Sequence, residues 1–158
     1  YMTPEQYKHF LINGFNSYVK DYVRDEYTSI RYFDNLVHLY LGNPTEQCGM
    51  CGHCMHQFVA EGNGNIYPCD FYCTDEWLLG NINDESENFD TLAHSEKAIS
   101  FLKESLHTPE ECKKCKYYPI CRAGGCKRSK EDRNYCESYK AFFSACLPLF
   151  RAFIAEKK

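Results

Sequence analysis

The sequence predicts an α+β chain that is mostly helix and loop, with two N-terminal helices, a small β-hairpin, cysteine-rich loops and C-terminal helices. Three observations predict it. Apolar residues recur at helical spacing at both ends, an Asn-Gly dipeptide at 63–64 separates two short β-prone runs, and the 11 cysteines crowd mainly between Cys48 and Cys136. The 158 residues suffice for one packed core without crosslinks, since a domain of about 150 residues buries roughly 70% of its unfolded surface.

The first helix starts at Thr3-Pro4-Glu5-Gln6. Thr3 suits the N-cap, Pro4 the first helical position, and Gln6 completes a capping box. Tyr7, Phe10, Leu11, Phe15, Tyr18, Val19 and Tyr22 follow as one apolar stripe. A second helix is expected over about 29–41, with Ile30, Phe33, Val37, Tyr40 and Leu41 inward, and Gly42 and Pro44 ending it. His38 beside that stripe reads as a packing residue rather than a ligand. Residues 1–47 are read as a helical connector.

The composition changes at Gly42-Asn43-Pro44, after which Cys48, Cys51 and Cys54 fall within seven residues, with Gly49 and Gly52 allowing tight turns. Residues 57–61 and 66–69 flank Asn63-Gly64 as a hairpin that carries Cys69 back toward Cys48. Residues 77–82 are an apolar run ending in a turn, and 84–88 a solvated acidic loop. Ser95 caps a helix bearing Ala98, Ile99, Leu102 and Leu106, closed by Pro109. From Ser138 a last helix carries Tyr139, Phe142, Phe143, Cys146, Phe150, Phe153 and Ile154, with a kink at Pro148. Cys146 is expected to be a buried apolar thiol.

A formal charge of -4 with mixed signs argues against a general nucleic-acid binder, and no run of about 18 apolar residues offers a membrane span. Tyr1-Met2-Thr3-Pro4 lacks the features of a secretory signal. The expectation is a soluble cytoplasmic monomer, and a chain opening on Tyr1 is expected to be a piece of a longer one.

Eleven is an odd total, and a reducing compartment keeps thiols available for metal, so ligation is favoured over disulfides. Cys112-x2-Cys115-x5-Cys121-x4-Cys126, then Cys136, does not repeat the two-residue knuckle of zinc ribbons. Zinc nevertheless stays a rival, since His53 or His56 could complete a site begun by Cys51 and Cys54. A catalytic thiol would need one activated cysteine, and none stands apart.

Cys48-x15-Gly64-x4-Cys69 together with Cys112-x2-Cys115-x5-Cys121 and Cys136 resembles the SPASM domain of radical S-adenosylmethionine enzymes, expected here over 48–158. More narrowly, Cys48-Gly-Met, Gln57-Phe58-Val59, Tyr67-Pro68-Cys69-Asp70-Phe71-Tyr72, Leu79-Gly80-Asn81-Ile82 and Tyr135-Cys136-x-Ser138-Tyr139-Lys140 are similar to the anaerobic sulfatase-maturating enzymes. The pattern departs at Cys121-x4-Cys126, where the family has three intervening residues, so an extra residue, Ala123 the candidate, is expected to bulge.

The resemblance implies two auxiliary 4Fe-4S clusters, one on Cys48, Cys54, Cys69 and Cys126, the other on Cys112, Cys115, Cys121 and Cys136. Lys113, Lys114, Lys116, Arg122, Lys127 and Arg128 would offset their negative charge or form a solvated basic face. Cys51, Cys73 and Cys146 remain as spare thiols. Asp70, directly after the hairpin cysteine, would take a proton from a sulfatase cysteine or serine as it is oxidised to formylglycine. As a plain turn cap it would have no such role. The resemblance also implies a sulfatase polypeptide as partner, an electron donor such as ferredoxin or flavodoxin, and S-adenosylmethionine with a third 4Fe-4S cluster in a separate N-terminal barrel. That barrel's Cys-x3-Cys-x2-Cys loop is absent here. Cys69-x3-Cys73-x2-Glu76 is the nearest approach, so this stretch alone is expected to be inactive. Two other readings stay open, a related peptide-crosslinking enzyme and a zinc-stabilised binding module.

Overall fold

In the computed structural model, residues 2–155 are described, without the side chains of 151 and 153–155. Helix α1 (Pro4–Val23) opens as the sequence requires: Thr3 accepts the Gln6 N–H, and the Gln6 side chain accepts the Thr3 N–H at 2.8 Å. Leu11, Phe15 and Tyr18 are buried, but Phe10 is exposed. The stripe is therefore narrower than the spacing suggested. Helix α2 (Arg31–Tyr40) buries Phe33, Asn35, Leu36 and Val37. Ile30 and Leu41, expected inside, are exposed flanking residues, and His38 is exposed as well rather than packed.

Both helices pack on α8 (Cys136–Ala155), which runs through Pro148. The centre of this core is aromatic. Phe15 stacks on Phe150 at 4.4 Å between ring centroids and meets Phe33 and Phe142 edge-on at 5.5 and 5.8 Å. Each fully buried ring of this kind contributes on the order of 2–3 kcal/mol by removal from water. Cys146 lies in the same core, and burial alone pushes its thiol up to about 11. Phe153 and Ile154 lie outside the described side chains. Polar ties close the bundle: Ser138 donates to the Pro4 carbonyl at 2.6 Å, and the Tyr135 hydroxyl to the Met2 carbonyl at 2.9 Å. Between α1 and α2, Asp34 accepts from Tyr18, Tyr27 and Ser29 at 2.7, 2.7 and 2.5 Å. Burial opposes its ionisation, but the three hydroxyl donors prevail and hold its carboxyl below the usual range.

The expected hairpin forms from β1 (Val59–Ala60) and β2 (Asn65–Tyr67), antiparallel with Val59 opposite Tyr67. A third strand, β3 (Gly80–Asn81), extends the sheet in the order β1-β2-β3, pairing Ile66 with Gly80. Gly64 turns the hairpin at φ +87, where a β-carbon would overlap the Asn81 and Asn83 side chains. Glu87 is not simply solvated, since it accepts the Asn81 N–H at 2.9 Å and steadies β3.

Helices α3 (Phe89–Ala93) and α4 (Glu96–Ser105) follow, with Asn88 and Ser95 as N-caps. Helix α4 buries Ala98, Phe101 and Ser105, while Leu106 points outward. Three one-turn helices follow: α5 (Glu110–Lys113) and α6 (Tyr118–Cys121), which hold Cys112 and Cys121, and α7 (Lys127–Glu131), preceded by Cys126. Among the described residues no helix is long and apolar enough to cross a membrane.

Candidate metal centre

Cys48 starts a single turn whose approach is fixed from α2. The amide oxygen of the fully buried Asn35 accepts the N–H groups of Glu46 and Gln47 at 2.9 and 3.1 Å. Cys54 is held from α4, its N–H donating to the Ser105 hydroxyl at 2.9 Å. Cys69 stands in extended backbone after β2, and its carbonyl accepts the Tyr72 N–H that closes the next turn. Cys126 enters α7 after a left-handed turn.

In that turn Arg122, Ala123, Gly124 and Gly125 all have positive φ, at 50, 59, 83 and 100 degrees, and the Gly125 N–H bonds to the Arg122 carbonyl at 3.0 Å. The extra residue thus lies within a left-handed coil, with Ala123 at its second position. Two non-glycine residues there cost roughly 1–2 kcal/mol each. Gly125 sits so close to the first cysteine loop that a β-carbon would overlap the Gly49 carbonyl. Arg122 crosses the same gap, packing over Gly52 and donating to the Cys51 carbonyl at 3.1 Å.

The electrostatics show which thiols are neighbours. Burial raises the Cys48 thiol first, then the charges of Cys126, Cys54, Cys51 and Asp70 add to it. Burial also pushes Cys69 up to about 11, assisted by Asp70 and Cys54. On the other side, burial followed by Cys136 and Cys115 raises Cys112, while burial followed by Cys136, Cys112 and Cys115 pushes Cys121 up to about 11. Cys48 therefore lies in the fields of Cys126, Cys54 and Cys51, and Cys69 in that of Cys54, while Cys112 and Cys121 lie in the fields of Cys115 and Cys136. These four last thiols line a cavity of about 320 Å³ walled by Tyr7, Tyr117 and Tyr139. A neighbouring cavity of about 260 Å³ is lined by both Cys121 and Cys126, with Gly49, Met50 and Gln47, whose side-chain oxygen is buried without a partner.

Among the described residues no three of His, Cys, Asp and Glu converge tightly enough to hold a single ion. His53 and His56 are exposed, and the His56 ring lies against Phe58. Zinc gathers all its ligands at about 2.0–2.3 Å on one ion, whereas each thiolate of a four-iron cluster takes a different iron and the sulfurs stand farther apart. An all-thiol donor set, close-packed glycine backbone and room between the sulfurs fit the cluster better than the ion.

Asp70 is exposed at the edge of the first group, where its carboxylate accepts from the Cys69 thiol at 3.3 Å. The spare thiols have ordinary contacts: Cys51 reaches the Thr45 hydroxyl at 3.4 Å, and Cys73 the Cys69 carbonyl at 3.7 Å.

The cations divide. Lys113 pairs with Glu110, Lys116 stands over the Tyr117 ring, and Arg128 covers Phe71 with its guanidinium 3.8 Å from the ring centroid. Lys127 is buried between Glu131 at 2.5 Å and Glu104 at 3.3 Å, facing Tyr72, Trp77 and Phe101. It anchors α7 to the segment after Asp70. Sequence reasoning missed Asn35, Ser105 and Lys130, buried polar groups whose partners are distant in the chain.

Residues 51–116 match a family model, SPASM, described as an iron-sulfur cluster-binding domain. Over 155 residues the chain is 44% identical to a cysteine-type anaerobic sulfatase-maturating enzyme of Clostridium perfringens, covering 93% of this chain and 41% of that protein. It is 31% identical over 157 residues to the serine-type enzyme of Bacteroides thetaiotaomicron, covering 93% and 37%. Among solved structures, native anSMEcpe with bound AdoMet superposes at a TM-score of 0.87 with 42% identity, covering 96% of this chain and 42% of that one. The same protein with AdoMet and a Cp18Cys peptide gives 0.88 with 41% identity, covering 99% and 45%. The chain spans about two fifths of the length of the curated relatives it matches.

Proposed function

We propose, for a chain that carries a SPASM iron-sulfur domain and whose homologues over nearly its whole length are named anaerobic sulfatase-maturating enzymes, that it is the auxiliary-cluster part of a radical S-adenosylmethionine enzyme making formylglycine from a sulfatase side chain. The S-adenosylmethionine site and its own cluster lie in an N-terminal barrel of the longer protein. Residues 1–47 connect to that barrel, and 48–158 form the cluster domain. The observation that carries this reading is that cysteines distant in the chain gather at two neighbouring places, one around Cys48 and one around the cavity of Cys112, Cys115, Cys121 and Cys136, bridged by the Gly49–Gly125 contact.

Cys48, Cys54, Cys69 and Cys126 would hold one 4Fe-4S cluster, and Cys112, Cys115, Cys121 and Cys136 a second. Bound there, such clusters supply one-electron acceptance at a potential set by burial and hydrogen bonding. The chain's own residues do the rest. Gly125 lets backbone approach the Gly49 carbonyl closely, Gly124 leaves room beside Ser129, Arg122 and Lys127 fix the loops, and the left-handed turn would deliver Cys126 to the first group.

Asp70 is the general base. Its carboxylate is exposed beside Cys69, within reach of an incoming peptide side chain, and its task is to remove the thiol or hydroxyl proton as the carbon is oxidised. The higher identity to cysteine-type than to serine-type relatives, 44% against 31%, supports cysteine as the residue converted. The test uses full-length protein, S-adenosylmethionine, a reductant and an 18-residue-scale cysteine peptide. Asp70→Asn is expected to slow aldehyde formation by about 10²-fold or more while 5'-deoxyadenosine still forms. Unchanged aldehyde yield removes Asp70 as the base, and loss of two hydrogens without thiol conversion points instead to a crosslinking enzyme.

A further inference from the structure

Lys130 is a buried cation whose counter-charge is not a carboxylate. It is 7% exposed, and its ammonium donates to the carbonyls of Gly52 and Ser105, each at 2.6 Å. Among the described residues no carboxylate forms an ion pair with it, whereas Lys127 one turn away has two. An ammonium taken out of water against carbonyl dipoles alone is costly to keep, unless a negative charge stands close by.

Its contacts lie among the segments of the first thiol group, and its charge also acts on Cys112 of the second. The Lys130 N–H bonds to the Cys126 carbonyl at 3.1 Å. Gly52 lies in the turn between Cys51 and Cys54, and the hydroxyl of Ser105 accepts the Cys54 N–H at 2.9 Å. Backbone and side chain of this one residue thus join the segments that present Cys54 and Cys126. The other cations near the loops are engaged elsewhere, by carboxylates, by aromatic rings or, in Arg122, by the Met50 and Cys51 carbonyls.

We propose that Lys130 is the fixed counter-charge of the cluster held by Cys48, Cys54, Cys69 and Cys126, and that it raises that cluster's reduction potential. It acts through the cluster and is a positioning residue, not a catalytic one. The proposal rests on the ligand reading given above. Four thiolates leave an oxidised 4Fe-4S unit with net negative charge, and its one-electron reduction adds one more without making or breaking a bond. In a medium of effective dielectric about 20, a fixed positive charge on the order of 10 Å from a redox centre in general favours its reduced form by roughly tenfold.

The experiment compares full-length, anaerobically prepared wild type with Lys130→Gln and Lys130→Arg, titrating the clusters with a chemical reductant under electron paramagnetic resonance. Glutamine keeps an N–H donor on a side chain one bond shorter and loses the charge, so melting temperature and iron content are measured beside the potential. In Lys130→Gln the reduced-to-oxidised ratio at fixed potential is expected to fall roughly tenfold, about 59 mV for a one-electron couple, with arginine close to wild type. A glutamine variant that retains its iron at an unshifted potential overturns the proposal, because a purely structural staple would give that result with at most a lower melting temperature. Wild type that takes up no iron at these thiols overturns the ligand reading and this proposal together.

Discussion

Replacing Gly125 by alanine tests whether the first and second cysteine loops must touch. Gly125 lies at φ +100, a conformation that side chains rarely adopt, and its β-carbon would overlap the Gly49 carbonyl with Met50 behind it. Strained backbone of this kind costs about 1–3 kcal/mol, and forcing two packed backbones apart adds roughly 1–3 kcal/mol. The sum, about 2–6 kcal/mol, is a large share of the 5–15 kcal/mol by which domains are stable. Thermal unfolding of Gly125→Ala should therefore begin roughly 10 °C lower, and its iron should leave faster to a chelator because Cys126 no longer closes on Cys48. Ala123→Gly works in the opposite sense. It relieves about 1–2 kcal/mol of left-handed strain against about 0.5–1 kcal/mol of added chain entropy, for a net gain of up to about 1 kcal/mol. A Gly125→Ala protein with wild-type melting and wild-type iron retention would refute the reasoning.

Other outcomes follow from the same contacts. Phe15→Ala removes the ring stacked on Phe150 and should cost about 3–5 kcal/mol in urea unfolding, with α1 detaching from α8. Asp34→Asn loses the charge that receives three hydroxyls, and for this half-buried group the cost is about 1–2 kcal/mol at neutral pH. Because the folded Asp34 carboxyl is held below its unfolded value, its contribution is present above an unfolded pKa of about 3.9 and disappears as pH falls through the lower folded value. Acid unfolding curves of wild type and Asp34→Asn should accordingly converge below pH about 4, and a constant gap at all pH values would show that the carboxylate charge is not what the hydroxyls bind.

Local signals in the sequence carried their elements into the structure intact. Thr3-x-x-Gln6, Ser95 and Asn63-Gly64 each act on backbone within a few residues, so the capping box, the α4 cap and the hairpin turn were all legible. Strand β3 was not. Two residues show no periodicity, and Gly80 and Asn81 become a strand only through their pairing with β2. Helices α5, α6 and α7 span about one turn each and could not display a 3.6-residue repeat. Phe10 misled because a broad aromatic run satisfies several helical faces, and only the position of α8 selects one. At the site, cysteine spacing pointed to the cavity shared by Cys112, Cys115, Cys121 and Cys136, but not to Cys51 acting on Cys48. The supports stayed hidden, since Asn35, Ser105 and Lys130 act on residues 46, 54 and 52 through tertiary contacts.

The central claim is that eight thiols form two crossed sets, with Cys126 belonging to the first although its spacing places it among the second. Iron and sulfide determination on anaerobically prepared full-length protein tests it, comparing Cys48→Ala, Cys126→Ala, Cys115→Ala and Cys136→Ala. The account predicts that each variant loses about four irons and about four sulfides, with Cys126→Ala matching Cys48→Ala in its remaining electron paramagnetic resonance signal and Cys136→Ala matching Cys115→Ala. Zinc in place of iron, or a Cys126→Ala signal that matches Cys115→Ala, would contradict it.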